Sequence, residues 1–393
     1  MSTPVSQVKS IHTSNDGSLI EAELQIGPKS HRVYFQSNDI ILTGNMEAFL
    51  ALALLPSMVE GGAIVADGKV SQRFLDALHT ILDIYCVWEP WLHRVEITNA
   101  TPVIRIRPKE QRVGTFFSGG VDSFYTFLKH RDEITDLIFV NGLDIPLEDD
   151  SLRRRTLEII RGIGSSFGKR VIVVESNHRS FLLSYLRRHW LRLAHGVGLI
   201  SVGYLLSPFF KRIYIPASHT YADLVPLAEH PILDPLWSTE ALEFVHDGCE
   251  ANRIDKVTLL SKFDTALERL RVCFFPKSNG AYNCGQCEKC LRTMINLHAV
   301  GALDRCTAFD TPLSIREVSK LIVSDDSIRA YVKENLKALE NRRGDQKLYK
   351  TLRKILSRSP WRARIITKSR RIEGRLKRSV SKFLPISKVF KNN

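Results

Sequence analysis

The chain reads as an α/β protein built on a doubly wound, mostly parallel sheet. A small N-terminal α+β domain precedes the sheet, and a basic helical tail follows it. Three observations point there. From Arg112 onward, short apolar runs alternate with longer helical segments, as expected for parallel strands covered on both faces. Before Arg112, residue-by-residue alternation of strand type is mixed with two helical segments. Beyond residue 310 the chain turns helical, and from Arg342 it is strongly basic. At 393 residues, with 44% apolar and 25% charged residues, the composition is globular and the length suits two or three domains. The boundaries fall at 1–110, 111–310 and 311–393.

In the first segment, Ile20–Ile26 and Arg32–Gln36 read as strands, and Asn45–Val59 and Ser71–Trp88 as helices. The run 48–59 is too short to span a membrane and is broken by Pro56. Trp88 and Trp91 are expected in the core or at an interface. No chemical motif occurs here. The N-terminal MSTPVSQVKS has no apolar core and does not read as a signal peptide, so a cytoplasmic location is expected.

The central segment opens with an apolar run, Val113–Phe117, then turns through Ser118-Gly119-Gly120-Val121-Asp122-Ser123 into a helix carrying Phe124, Phe127 and Leu128 on one face. A glycine turn at a helix N-terminus suits an anion: the first amides lack internal partners and the helix dipole adds positive charge. Ser118 and Ser123 add hydroxyls, and Asp122 can cap the helix or hold Mg²⁺. Next come a buried strand, Asp136–Asn141, a helix, Leu152–Gly168, and a strand, Lys169–Glu175. A long helix, Phe181–Leu206, and a strand, Arg212–Pro216, complete the pattern. Ligands of such sheets sit beyond the carboxyl ends of the strands, which here carry Ser118, Asn141, Asp144, Asn177 and the run from Ala217. Gly162-Ile163-Gly164 is not a dinucleotide fingerprint, because Phe167 stands where a third glycine belongs. The apolar stretch 193–210 is read as a buried helix because it holds His195 and lies between two strands.

Four of the seven cysteines, Cys273, Cys284, Cys287 and Cys290, form a C-x10-C-x2-C-x2-C cluster. Four thiolates satisfy tetrahedral Zn²⁺ with no open position, and Gly285 permits the tight turn. An iron–sulfur cluster is the alternative. Cys86, Cys249 and Cys306 lack such spacing and are read as packing residues. This usage indicates a reducing compartment.

Between strand and cysteines, His219, Tyr221, Asp223, His230, Asp234 and Trp237 lie in a loop-rich stretch where substrate recognition is expected. His219 with Asp223 reads as a candidate acid–base pair. Arg253 and Lys256 open the following helix and are candidates for contacting phosphate. The net charge of +14 is concentrated at the end. From Arg342, eighteen Lys and Arg face two acids, Asp345 and Glu373, leaving the remainder at −2. There Leu352, Ile355, Leu356, Trp361, Ile365 and Ile366 interleave with the basic residues. Such a segment can meet an anionic membrane surface or RNA.

SGGVDS resembles the pyrophosphate loop of the N-type ATP pyrophosphatases, and no Lys follows its glycines as in γ-phosphate-cleaving P-loops. With the segment CGQCEKCLRT, including Leu291-Arg292, the chain is similar over about 112–300 to 7-cyano-7-deazaguanine synthase-like proteins. The middle, 218–238, departs from that pattern, so the deazaguanine substrate does not carry over. The resemblance implies an adenine nucleotide alpha hydrolase-like fold, with ATP, Mg²⁺ and Zn²⁺ as cofactors. It also implies cleavage of ATP to AMP and pyrophosphate: a carbonyl or carboxylate oxygen is adenylated, then an amine, ammonia or sulfur nucleophile displaces AMP. On that reading Asp122, Ser123 and Lys256 are catalytic. Ser118, Gly119, Gly120, Val121, Asp122, Ser123, Asn141 and Asp144 bind the nucleotide. His219, Tyr221, Asp223, His230, Asp234 and Arg253 face a small-molecule or glycan-linked acceptor. The rival readings are a tRNA-modifying, thiolating enzyme and a non-catalytic nucleotide-binding protein.

Overall fold

The computed structural model describes residues 5–273, 282–323, 326–340 and 345–358. The chain begins with β1 (Val5–Thr13), β2 (Leu19–Ile26) and β3 (Lys29–Gln36), then α1 (Met46–Glu60), β4 (Ala63–Ser71), α2 (Gln72–Trp88) and β5 (Glu96–Val103). The two helices start where side-chain caps place them: Asn45 accepts from the Ala48 amide and Ser71 from the Phe74 amide. Next come β6 (Arg112–Phe116), α3 (Val121–Lys129), β7 (Asp136–Asn141), α4 (Asp150–Ser166), β8 (Arg170–Ser176), α5 (His178–Leu186), α6 (His195–Leu205), β9 (Phe210–Pro216) and β10 (Glu243–Asp247). The rest is helical: α7 (Arg253–Leu260), α8 (Asp264–Arg269), α9 (Glu288–Ala299), α10 (Ile315–Val318), α11 (Asp326–Leu339) and α12 (Gln346–Leu356).

All ten strands lie in one sheet, ordered β10-β9-β6-β7-β8-β3-β2-β1-β4-β5. The five strands from β10 to β8 are parallel, β1 to β3 form an antiparallel meander, and β4 and β5 run parallel to β1. The seam is short and antiparallel, with Phe35 opposite Ser176 and Gln36 opposite Glu175. The N-terminal segment thus extends the central sheet, and one apolar core runs from Val8 through α1 and α6 to Phe244. Every residue of β7 is buried, as a strand covered on both faces requires. The chain passes from β6 outward to β7 and β8, then returns to the other side of β6 as β9 and β10. The strand order therefore reverses at β6, and the crevice beyond its carboxyl end is where such sheets bind ligands.

Two expectations need correction. The single helix expected over Phe181–Leu206 is broken after Leu186 by a 3₁₀ turn, Arg187–His189, and a π turn, Trp190–Ala194, before α6 begins. The break leaves Arg187 and Arg188 exposed while Leu193 and Ala194 are buried. The apolar stripe of the tail is also partly internal. Leu348, Leu352 and Ile355 of α12 are buried against Leu291, Ile295, Val332 and Leu339, so the basic segment up to Arg358 belongs to the fold. Trp361, Ile365 and Ile366 lie outside the described residues. Among the described residues, no helix is long and apolar enough to cross a membrane.

A chain ending at Asn341 should therefore unfold at lower temperature than the full chain, because it loses α12. Leu352→Ala should cost about 2–5 kcal/mol in denaturant unfolding, the usual range for emptying a fully buried leucine site.

Candidate active site and metal centre

The turn after β6 is built to present backbone. Gly119 takes φ +75°, a conformation that L side chains rarely adopt, and Gly120 occupies the N-cap of α3 without a side-chain cap. The first amides of α3 are thus left for an anion. Ser123 donates back to the Gly120 carbonyl at 3.1 Å. The loop is clasped from across the crevice: the Arg271 amide donates to the Gly119 carbonyl at 2.8 Å.

Asp122, in the first turn of α3, meets Arg253 Nη1 at 2.9 Å and Lys256 Nζ at 3.0 Å. Burial alone would raise its pKa, but the Arg253 and Lys256 charges hold the carboxyl well below the usual carboxylate range. Lys256 is 1% exposed and also donates to the Ala217 carbonyl at 2.6 Å. Both cations are aimed by α7, whose start is fixed by a reciprocal capping box between Asn252 and Asp255. Asp122 and Lys256, both expected in the catalytic set, meet, and Arg253, expected to contact phosphate or face the acceptor, pairs with Asp122 as well.

Two further cations were not singled out from the sequence as site residues. Arg271 is buried beside the loop with Nε and Nη2 unpartnered, and Arg292 of α9 is buried with Nη1 unpartnered. Tyr331 of α11 links Arg292 to Arg253: its ring centroid lies 3.9 Å from the Arg292 guanidinium carbon and 5.5 Å from that of Arg253. Arg292 Nε pairs with Glu288 at 3.3 Å, but its Nη1 and two nitrogens of Arg271 are buried without a hydrogen-bond partner; unmet buried donors are costly, so this cluster favours an incoming anion. Lone arginines in sequence carry no such signal.

The expected acceptor residues divide. His219 stacks on Tyr331 with ring centroids 5.8 Å apart, and burial, then the Arg253 charge, pushes its pKa down. Asp223 accepts from the Thr220 hydroxyl, so the expected His219–Asp223 pair does not form: the loop turns the two side chains to different partners. Tyr221 is exposed. Asp234 is buried against His246 at 2.7 Å, its carboxylate lifting His246 to about 9 against the effect of burial. His230 accepts from the Ile232 amide, and Trp237 is in the core. These last three shape the loop rather than line the crevice around Asp122.

Beyond β7, Asn141 donates to Glu175 at 2.9 Å while its Oδ1 is buried without a partner. Asp144 faces His195 Nε2 at 3.4 Å, and the other ring nitrogen contacts Glu229. Burial would discharge this imidazole, but Glu229 and Asp144 raise its pKa to about 10. Burial would likewise raise Asp144, but the His195 hydrogen bond and charge bring it to about 2, with Arg271 adding to the effect. This Asp144–His195–Glu229 chain escaped the sequence reading, which used His195 only as an argument against a membrane span.

The four cysteines of the cluster gather as expected. All four sulfurs lie within 4.8 Å of one another. Cys273 and Cys287 are 3.9 Å apart and Cys284 and Cys290 3.8 Å apart. A tetrahedron with metal–sulfur bonds of about 2.3 Å has edges of about 3.8 Å. The amides of Gln286 and Cys287 donate to Cys284 Sγ, and the Cys290 amide to Cys287 Sγ, which supports thiolates. Gly285 takes φ +63°, and a Cβ there would stand 2.0 Å from Thr311 Oγ1. The cluster can hold a metal ion and its chemistry is consistent with zinc. Cys249 and Cys306 are buried and Cys86 is half-buried, all away from this cluster.

No family model and no curated protein matches the chain.

Metal analysis of anaerobically purified protein should give near-stoichiometric zinc, and iron with matching sulfide would refute that metal. Cys287→Ser should destabilise the fold by more than about 4 kcal/mol, beyond the ordinary single-substitution range.

Proposed function

We propose that the protein is an ATP pyrophosphatase of the pyrophosphate-loop class, acting as a ligase. One observation supports this above all: buried Arg253 and Lys256 meet Asp122 in the first turn of an uncapped helix, buried Arg271 is bonded to the preceding glycine turn, and Arg292 joins them through Tyr331. Such a site is made for several phosphate charges. Its place at the strand-order reversal fits a nucleotide. The SGGVDS turn adds the resemblance to the N-type enzymes and their fold.

In this reading the oxygen of a carbonyl or carboxylate acceptor attacks the α-phosphorus of ATP. The bond to the β-phosphate oxygen breaks, and pyrophosphate departs into the α3 amides, Arg271 and Lys256. Donors aimed at that developing charge are preorganised, because α7 and the clasp on Gly119 fix them beforehand. A nitrogen or sulfur nucleophile then attacks the adenylated carbon, AMP leaves with its oxygen, and the nucleophile gives up a proton. Asp122 would hold Mg²⁺, which offsets phosphate charge when bound. Ser118 and Ser123 add hydroxyl donors, and Asn141 and Asp144 border the nucleotide. A zinc held by Cys273, Cys284, Cys287 and Cys290 would have no open position and would serve the fold rather than a chemical step.

Turnover of ATP with candidate acceptors should release AMP and pyrophosphate. ADP with orthophosphate as the only products would contradict the reading. Asp122→Ala should lower kcat/KM by roughly 10²–10³-fold, the usual cost of losing one preorganised electrostatic group. The variant should also melt at a lower temperature, because Arg253 and Lys256 lose their carboxylate partner, so turnover is compared at a temperature where circular dichroism shows both proteins folded.

A further inference from the structure

Four of the nine large apolar side chains that stand exposed among the described residues fall in one neighbourhood. They are Val87, Trp91, Leu191 and Ile232, at 78%, 41%, 57% and 52% exposure. Val87 is in the last turn of α2 and Trp91 just follows it, while Leu191 is in the π turn and Ile232 in the loop before β10. Side-chain and backbone contacts hold these segments together. Trp91 packs on His189 with ring centroids 5.0 Å apart and donates to Glu89. Arg192 pairs with Glu89 and donates to the Trp88 carbonyl. The Ala228 amide donates to the Leu191 carbonyl at 3.1 Å, and Trp88 meets the His230 ring. The patch is therefore a built surface and not the side of a loose loop.

Its surroundings are net positive. Arg187 and Arg188 are exposed beside it, while Arg192 and Arg94 are paired with Glu89 and Asp83 and Glu229 is paired with His195. Apolar side chains that include a tryptophan, ringed by arginines, suit the interface of an anionic bilayer. The interruption between α5 and α6 is accounted for in the same way, because it brings Leu191 and the two arginines to the surface together.

We infer that this face docks on an anionic lipid surface, with Trp91 and Leu191 entering the headgroup region. The π turn that carries Leu191 runs directly into His195, and the loop that carries Ile232 also carries Glu229. Docking thus sets the Asp144–His195–Glu229 end of the crevice against the membrane. The inference does not depend on ATP chemistry.

The test uses the full chain and vesicles of phosphatidylcholine with and without phosphatidylglycerol. Full-length protein should co-sediment with the anionic vesicles, and part of that binding should survive high salt, because apolar insertion is not screened. Trp91→Ser with Leu191→Ser should weaken it about tenfold or more, since each side chain loses apolar burial. Arg187→Gln with Arg188→Gln should weaken it about tenfold at low salt only. Val87→Ser with Ile232→Ser provides a second apolar pair, and an unchanged melting temperature certifies each variant. Absence of vesicle binding by the parent would overturn the inference. So would apolar variants that bind like the parent, or binding that vanishes wholly in high salt. Self-association abolished by the same substitutions, without vesicle binding, would assign the face to a second copy of the chain.

Discussion

Buried positive charge that the chain itself only partly partners is the constraint around which this site is built. Bringing Lys256 and Arg253 out of water is tolerable only because Asp122 stands between them at hydrogen-bond distance. The other buried cations, Arg271 and Arg292, keep guanidinium nitrogens without partners, and each such group is expensive in a protein interior. A fold that maintains these costs next to an uncapped helix start is poised for a polyanion. The anion would supply what the folded chain withholds, and binding would also stabilise the fold.

The helical segment behind the sheet makes this arrangement rigid. Arg271 reaches the loop through its backbone bond to Gly119, two residues before Cys273, and Arg292 follows Cys290 by two residues. The four-cysteine cluster therefore anchors both cations at their base. Tyr331 of α11 braces Arg292 and Arg253, and α11 is held in turn by the core that α12 completes. Cysteine cluster, helices and loop form a chain of supports, with the buried cations at one end and the beginning of the basic tail at the other.

Local signals were legible in the sequence and distant ones were not. The glycine turn and the cysteine spacing each sit within a few residues, so strand, turn, helix and metal cluster could be placed from pattern alone. β7 was recognised because six consecutive buried residues leave an apolar run. β1, β4, β5 and β10 are not among the strands read from the sequence; at the two edges of the sheet, EITNATPV and EFVHD show little of the expected alternation. Arg271 and Arg292 acquire meaning only when the chain returns to a loop about 150 residues earlier. The same is true of Asp144, His195 and Glu229, which come from three separate elements. His219 and Asp223 erred in the opposite direction: their spacing suggested a pair, but a loop need not bring neighbours together. The stripe of Leu352 and Ile355 looked like a membrane face because its covering partners on α9 and α11 are not visible in the local sequence.

The central claim is that the buried cations beside the glycine turn form a pyrophosphate site. Calorimetric titration of inorganic pyrophosphate with Mg²⁺ into the full-length protein tests this most directly, with Arg271→Met as the comparison. The account predicts saturable binding at one site per chain, weakened at least about tenfold when the charge-assisted bonds of one buried arginine are lost. No binding by the parent protein, or equal binding by the two, would contradict it.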